Sequence, residues 1–308
     1  MIATGEQLSA TAPEPTPEER WHHERHGVIG ASEVSAILGV HPFKTALEVW
    51  ARKTGRIDDV AAAREEALWG QLLEDPIARE WSRRTGREII DHGRYALCLD
   101  AEAPHLGATL DREIVGPPPE ALEIKTKDRY HPEWSHGQAP LYEVVQVQSQ
   151  LAVKGWDRGV LAALVGRQLR TVTVERDDRL IASIREEVEE FWARYVATDT
   201  EPPIDVTHAR AFEAVKMLHP RDSGATIDLA PDLLAVVDRW EEVAGALREA
   251  KRDKDALQAQ LCQAIGDATF ARLPAGRLKW ATETRTHRCE SCGHEKVVES
   301  RVLRRLKK

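Results

Sequence analysis

Apolar residues recur at helical spacing in three long stretches of this chain, with strand-like runs between them. Over 65–85, Leu68/Trp69, Leu72/Leu73, Ile77 and Trp81 predict one helix ended by Gly86, with Pro76 kinking it or starting its second half. Over 178–197, Leu180, Ile181, Ile184, Val188, Phe191, Trp192 and Tyr195 predict an amphipathic helix. Over 231–265, Leu233, Val237, Trp240, Ala244, Leu247, Leu257, Leu261 and Ile265 mark a long helix. Its middle, Arg248 to Asp255, is almost all charged, which suits a helical hairpin arm or coiled coil better than a core helix. Shorter helices are expected over 33–38, capped by Ser32 and closed by Gly39, and over 139–153. Another opens on the capping box Thr45-Ala46-Leu47-Glu48 and stops before Gly55.

Strand-like sequence fills 87–90, 94–99, 106–115 and 120–126, then 158–165 and 168–175 as a pair. A β-hairpin is expected over 268–282, turning at Pro274-Ala275-Gly276. This order predicts an α/β core with a mixed central sheet flanked by helices, followed by a helical arm and a small β-hairpin. Glu201-Pro202-Pro203 reads as a domain exit, separating a core over 20–200 from an extension over 201–308. Residues 1–19, rich in Pro, Glu and Thr, are expected to form a disordered arm.

Composition narrows the function classes. Apolar residues make up 42 %, enough for a real core. No apolar run is long enough to span a membrane, and the N-terminus lacks the charged start and apolar centre of a secretory signal. The sparse cysteines Cys98, Cys262, Cys289 and Cys292 suit a reducing cytoplasm. The net charge of -8 argues against coating nucleic acid by bulk attraction. Residues 271–308, however, hold 11 Lys or Arg against 4 Asp or Glu. That basic tail is either a nucleic-acid contact or a solvated terminus.

The chemistry centres on Ala121-Leu122-Glu123-Ile124-Lys125-Thr126. Glu123 and Lys125 share one face of an apolar strand, either as an edge ion pair or as a metal ligand beside a catalytic lysine. Asp111 lies at the end of another strand-like run. If the two strands pair, Asp111, Glu123 and Lys125 converge, and two carboxylates with waters suit Mg²⁺. A lysine there could deprotonate or orient an attacking water, as phosphodiester hydrolysis needs. Glu74, in Trp69-Gly70-Gln71-Leu72-Leu73-Glu74-Asp75-Pro76, is either a third ligand or a helix-surface acid.

Taken together, Trp-Gly-x-x-x-Glu, Asp and Glu-x-Lys resemble the PD-(D/E)xK nuclease superfamily, specifically its YqaJ-type viral recombinase nucleases, which include the phage lambda exonuclease type. The stretch Trp21-His22-His23-Glu24-Arg25-His26-Gly27-Val28-Ile29-Gly30-Ala31-Ser32-Glu33-Val34 is similar to the opening of those exonucleases. Val145-Gln146-Val147-Gln148 is similar to their glutamine-bearing helix. The resemblance covers roughly residues 20–197 in order.

That resemblance implies a restriction-endonuclease-like fold. It implies that Glu74, Asp111, Glu123 and the Ile124 carbonyl hold Mg²⁺ or Mn²⁺, that Lys125 activates water, and that Gln146, with Gln148 as a neighbour, fixes Lys125 or the water. Arg25 and Ser32 would bind the 5′-terminal phosphate of a DNA end, in keeping with a guanidinium and a hydroxyl as anion ligands. Asp100 matches a further acid. Asp111-Arg112 departs from the Asp-Gly frequent in the family, so Arg112 could crowd the site or contact DNA. The implied activity is 5′→3′ resection of linear double-stranded DNA in phage-type recombination. Double-stranded DNA ends, a single-strand annealing protein and a ring-shaped homotrimer are the implied partners. An endonuclease or nickase with the same chemistry is the alternative enzyme, and a DNA-end-binding adaptor without catalysis the alternative of another class.

His287, Cys289, Cys292 and His294 form a Cys-x-x-Cys knuckle with flanking histidines, a candidate structural Zn²⁺ site. Two thiolates are only half such a motif; a reactive dithiol or an iron–sulfur cluster has less support. His22, His23 and His26 could be a metal cluster, though the exonuclease-like opening accounts for them better. Trp134 and Trp156 could stack on bases or pack in the core.

Overall fold

The computed structural model describes residues 16–57, 65–128, 132–274, 276–288 and 295–306. It divides into two units, Met1–Asp222 and Ser223–Lys308. Glu201-Pro202-Pro203 thus lies inside the first unit.

The first unit opens with helix α1 (Pro17–His26), capped by Thr16, whose side chain and that of Glu19 form a reciprocal capping box. Helix therefore begins inside the stretch expected to be a disordered arm; residues 1–15 lie outside the described residues. After β1 (Ile29–Gly30) come α2 (Ala31–Ile37) and α3 (Ala46–Lys53). Ser32 does not cap α2. Gly30 is the cap residue, and Glu33 reaches back to accept the Gly30 N–H at 2.8 Å. Thr45 and Glu48 do form the expected capping box of α3. Helix α4 (Glu65–Thr85) runs continuously with Pro76 inside it.

Short strands follow: β2 (Ile89–Ile90), β3 (Cys98–Leu99), β4 (Leu106–Ala108) and β5 (Arg112–Ile114). The single strand expected over 106–115 is therefore two strands. They belong to different sheets, with the chain turning at Thr109-Leu110-Asp111. Then come β6 (Glu120–Lys127), α5 (Pro132–Ser135), α6 (Leu141–Lys154), β7 (Arg158–Val165), β8 (Gln168–Glu175) and α7 (Asp178–Phe191), which passes into a π-helical turn over Trp192–Val196. Helix α8 (Ala211–Leu218) follows.

Strands β2-β5-β6-β7-β8 form a mixed five-stranded sheet in that order, and only β6 and β7 are parallel. Helix α6 is the crossover between them, as parallel neighbours require. On one face, Ile77, Ala78 and Trp81 of α4 pack on Ile114, Leu122, Ile124, Val160 and Ala162. On the other, α2, α3, α6 and α7 share a larger core with Ala121, Leu161 and Ala163. Alternation along β6 thus puts Leu122 and Ile124 under α4, and Glu123 and Lys125 under α6. Gly159 lets α6 approach: a Cβ there would sit 2.7 Å from Val147 Cγ1. This is the α/β core, a mixed central sheet flanked by helices, that the order of elements predicted.

In the second unit, a 3₁₀ turn (Pro231–Leu233) leads into α9 (Leu234–Ile265), one unbroken helix rather than a helical hairpin, and none of its residues is buried. Strands β9 (Phe270–Leu273), β10 (Gly276–Arg288) and β11 (Glu295–Leu306) form an antiparallel sheet larger than the hairpin expected. Part of the basic tail is structural: the Arg301 guanidinium lies 3.6 Å from the centre of the Trp280 ring and donates to the Gly266, Ala268 and Trp280 carbonyls. No helix among the described residues is long and apolar enough to cross a membrane.

Candidate active site

Glu123, Lys125 and Lys127 project from the same face of β6, and Tyr142, Gln146 and Gln150 share one side of α6. Four helical residues advance about 6.0 Å and two strand residues about 6.6 Å, so the two rows keep step as polar rungs. Lys127 Nζ donates to Tyr142 Oη at 3.0 Å. Lys125 Nζ donates to Gln146 Oε1 at 2.9 Å and to Glu123 Oε1 at 2.6 Å. Gln146 Nε2 donates to the same Glu123 oxygen at 2.6 Å, and Gln150 Nε2 to Glu123 Oε2 at 2.7 Å. Glu123 is buried, and each of its oxygens is held.

Asp111 comes to this group through strand register. The β5–β6 ladder pairs Arg112 with Leu122, so one step further along the antiparallel register Asp111 faces Glu123. The ladder stops there, and the Ile124 N–H donates instead to Asp111 Oδ2 at 2.7 Å. Burial, then the neighbouring charges of Glu123 and Glu74, hold the Asp111 carboxyl well above the usual carboxylate range, with Lys125 working against them. For Lys125, burial opposes the charge, but Glu123 and Asp111 outweigh it and raise its pKa above the ordinary lysine value.

Glu74 approaches from α4 and accepts Arg112 Nη1 at 2.7 Å. The same Nη1 donates to the Asp111 carbonyl, while Nη2 lies 3.4 Å from both Asp75 and Asp91. Arg112 is therefore a buried counter-ion that ties α4 to the start of β5, with 5 % of its surface exposed.

Among the described residues, no group of three His, Cys, Asp or Glu side chains is gathered so as to hold one metal ion. The expected Glu74–Asp111–Glu123 set is two facing carboxylates and a third drawn toward Arg112. The donors still fit a hard cation. Mg²⁺ takes one or two carboxylates and keeps several waters. The repulsion that raises Asp111 is what a divalent charge between the two acids would relieve. Gln150 Oε1, buried with no hydrogen-bond partner, adds an oxygen acceptor on a side chain already bonded to Glu123.

Arg25 and Ser32 line one cleft of about 720 Å³ with Glu74, Asp111, Arg112 and Gln146. A second cleft of about 280 Å³ is lined by Gly70, Gln71, Glu74, Asp111, Glu123 and Lys125. Glu74 and Asp111 belong to both, so the two clefts adjoin at the acids. The Arg25 guanidinium lies over the Trp21 ring at 4.8 Å, and Trp21 Nε1 donates to Thr109 Oγ1 at 3.4 Å. Behind them, Lys53 Nζ is 2.8 Å from Glu33 Oε2 and donates to the Arg25 carbonyl at 3.0 Å. This buried pair joins the Arg25 and Ser32 segments.

Other candidates fall elsewhere. Gln148 points away from the acids, donating to the Glu175 carbonyl and accepting the Asp177 N–H. Asp100 caps a turn at Glu102 and Ala103, pairs with Arg185, and lines neither cleft. Trp134 is fully buried and donates to Glu143 at 3.1 Å, so it packs in the core. Trp156 is half-buried, with Lys154 Nζ 4.8 Å from its ring centre. His22, His23 and His26 form no metal group. The zinc candidates Cys289, Cys292 and His294 lie outside the described residues, as does the side chain of His287. Gln150, which sequence reasoning missed, was signalled by its spacing of four from Gln146.

Residues 20–157 match the YqaJ-like viral recombinase domain. The uncharacterized protein YqaJ of Bacillus subtilis (strain 168) is 30 % identical over 256 residues, which is 82 % of this chain and 79 % of that protein. Two solved structures are similar at lower identity. The alkaline exonuclease LHK-Exo from Laribacter hongkongensis is 22 % identical with a TM-score of 0.46, covering 58 % of this chain and 93 % of that one. A phage-related exonuclease from Haemophilus somnus 129PT is 14 % identical with a TM-score of 0.42, covering 58 % and 99 %. By its identity to YqaJ across most of both sequences, the chain belongs to the YqaJ-like viral recombinase family.

Proposed function

We propose that this protein is a divalent-metal-dependent deoxyribonuclease that degrades linear double-stranded DNA from its 5′ ends. The observation that carries this reading is the facing pair Asp111 and Glu123, with Lys125 bonded to Glu123 and Gln146, in a cleft that adjoins, at Glu74 and Asp111, the one lined by Arg25 and Ser32. Family membership and the exonuclease names of its structural neighbours agree with it.

A bound Mg²⁺ or Mn²⁺ would supply Lewis acidity to the scissile phosphate and lower the pKa of water. Asp111 and Glu123 would hold that ion, joined by the Ile124 carbonyl and by Glu74 through the oxygen that Arg112 leaves unbonded. Lys125, kept cationic by its two acidic neighbours, donates hydrogen bonds; it orients the attacking water and offsets charge building on the phosphoryl oxygens. Gln146 fixes the lysine and Gln150 the carboxylate behind it. Arg25 and Ser32 take the 5′-phosphate and so set the end from which the strand is read.

The test is a time course on end-labelled linear duplexes bearing 5′-phosphate or 5′-hydroxyl, beside a covalently closed circle, with Mg²⁺ or EDTA. Metal-dependent release of label from linear ends, faster with 5′-phosphate, is expected. Circles cut as fast as ends would replace this reading with the endonuclease. The same reading extends to a ring-shaped homotrimer and an annealing partner, checked by mass in solution, and to zinc at His287, Cys289, Cys292 and His294, checked by elemental analysis.

A further inference from the structure

The rung beyond Lys125 carries an aromatic group for which the proposed hydrolysis has no use. The Tyr142 ring lies 5.0 Å from that of His41 and 6.5 Å from that of Phe43, and the His41 and Phe43 rings are 6.2 Å apart. Phe43 is 62 % exposed, so it contributes little to the core. The His41 and Tyr142 rings are nonetheless held. The Phe43 N–H donates to His41 Nδ1 at 3.0 Å, and the His41 carbonyl is 2.7 Å from His208 Nε2. Lys127 holds the Tyr142 hydroxyl, lies over its ring at 5.3 Å, and is anchored in turn by Glu143.

Lys44 and Lys127 stand nearby, Lys127 paired with Glu143. Burial, followed by Lys44, His208, Lys125 and Lys127, depresses His41 to about 4, so its ring is neutral near pH 7. The exposed Phe43 ring beside the half-buried His41 and Tyr142 rings, one rung beyond Lys125 and two beyond Glu123, matches a nucleobase of the strand that reaches those acids.

We propose that His41, Phe43 and Tyr142 form a stacking subsite for an unpaired nucleobase of the strand whose phosphodiester lies at Asp111 and Glu123. This rests on the nuclease reading above. It gives the site a means of capturing a base that has left the duplex, so that end fraying and cleavage become coupled.

The experiment uses the full chain carrying Lys125→Ala, to keep DNA intact, and a 5′-phosphorylated duplex with a mismatched end labelled by 2-aminopurine. The parent should quench the label, and adding Phe43→Ala should weaken binding at least about fivefold, the low end for one aromatic–base stack, and abolish the quench. Phe43→Trp should restore both. An unchanged thermal midpoint for the exposed Phe43→Ala shows that the fold is kept. Binding within twofold of the parent with the quench intact overturns the subsite and leaves the nuclease reading standing. Failure of the wild-type chain to cut DNA removes that reading and the subsite with it.

Discussion

Gln150 donates Nε2 to Glu123 Oε2 at 2.7 Å from a position with no solvent exposure, and so holds that carboxylate from behind. Gln150→Leu keeps the volume and removes the donor, leaving a buried carboxylate oxygen without its partner. We expect a loss of about 1–3 kcal/mol, measured by urea unfolding. Gln148→Leu, whose bonds go to Glu175 and Asp177, should leave metal affinity unchanged while Gln150→Leu lowers it.

Lys125 bonds to Glu123 and Gln146, and in the proposed reaction its ammonium stands where charge builds. Lys125→Ala should lower the cleavage rate by about 10²–10³-fold, the range for losing one donor aimed at developing charge. Duplex binding by gel shift should persist. Equal turnover by variant and wild type would remove Lys125 from the mechanism.

Asp111 is held at a raised pKa by burial and by Glu123 and Glu74. A carboxyl raised on folding destabilises the folded state once pH exceeds its unfolded pKa. Asp111→Asn keeps an acceptor for the Ile124 N–H and removes the repulsion. In EDTA at pH 7 its thermal midpoint should rise by roughly 2–4 °C per kcal/mol relieved. Mn²⁺, which should raise the midpoint of the wild type, should leave that of the variant unmoved. A variant that melts lower in EDTA, or still gains with Mn²⁺, contradicts the assignment.

Arg112 bridges Glu74, Asp75, Asp91 and the Asp111 carbonyl while almost wholly buried. Arg112→Ala strands Glu74 beside other acids. The expected cost is about 3 kcal/mol by chemical denaturation. Calorimetric titration with Mn²⁺ should show tighter binding, because Glu74 no longer shares its charge with a guanidinium.

Glu33 sets an acid limit on stability. Burial would raise its pKa, but Lys53, Arg25 and the Gly30 N–H outweigh this and lower it from 4.5 to about 2. The folded value lies below the unfolded one, so the stabilisation is complete above about pH 4.5 and is lost as pH falls toward about 2. That shift corresponds to about 3 kcal/mol. Glu33→Gln should lower the midpoint at pH 7 and flatten its fall between those pH values. Parallel melting curves for variant and wild type across this window would refute the linkage.

The sequence by itself determined what local periodicity and local capping can fix. Helix over 65–85, strands over 158–165 and 168–175 and the Thr45–Glu48 box are legible because each is set by neighbours within a few residues. Glu123 and Lys125 share a face for the same reason: two residues make one strand period. Only tertiary structure decided what they meet. The break at Thr109-Leu110-Asp111 brings Asp111 opposite Glu123, and it depends on strands joining different sheets, which no local pattern encodes. Gln150 was chosen over Gln148 by the docking of α6 on β6, and Glu74 was claimed by an arginine 38 residues away. These are long-range contacts, fixed by packing and by the pairing of buried charge, and a linear sequence names their members without naming their partners.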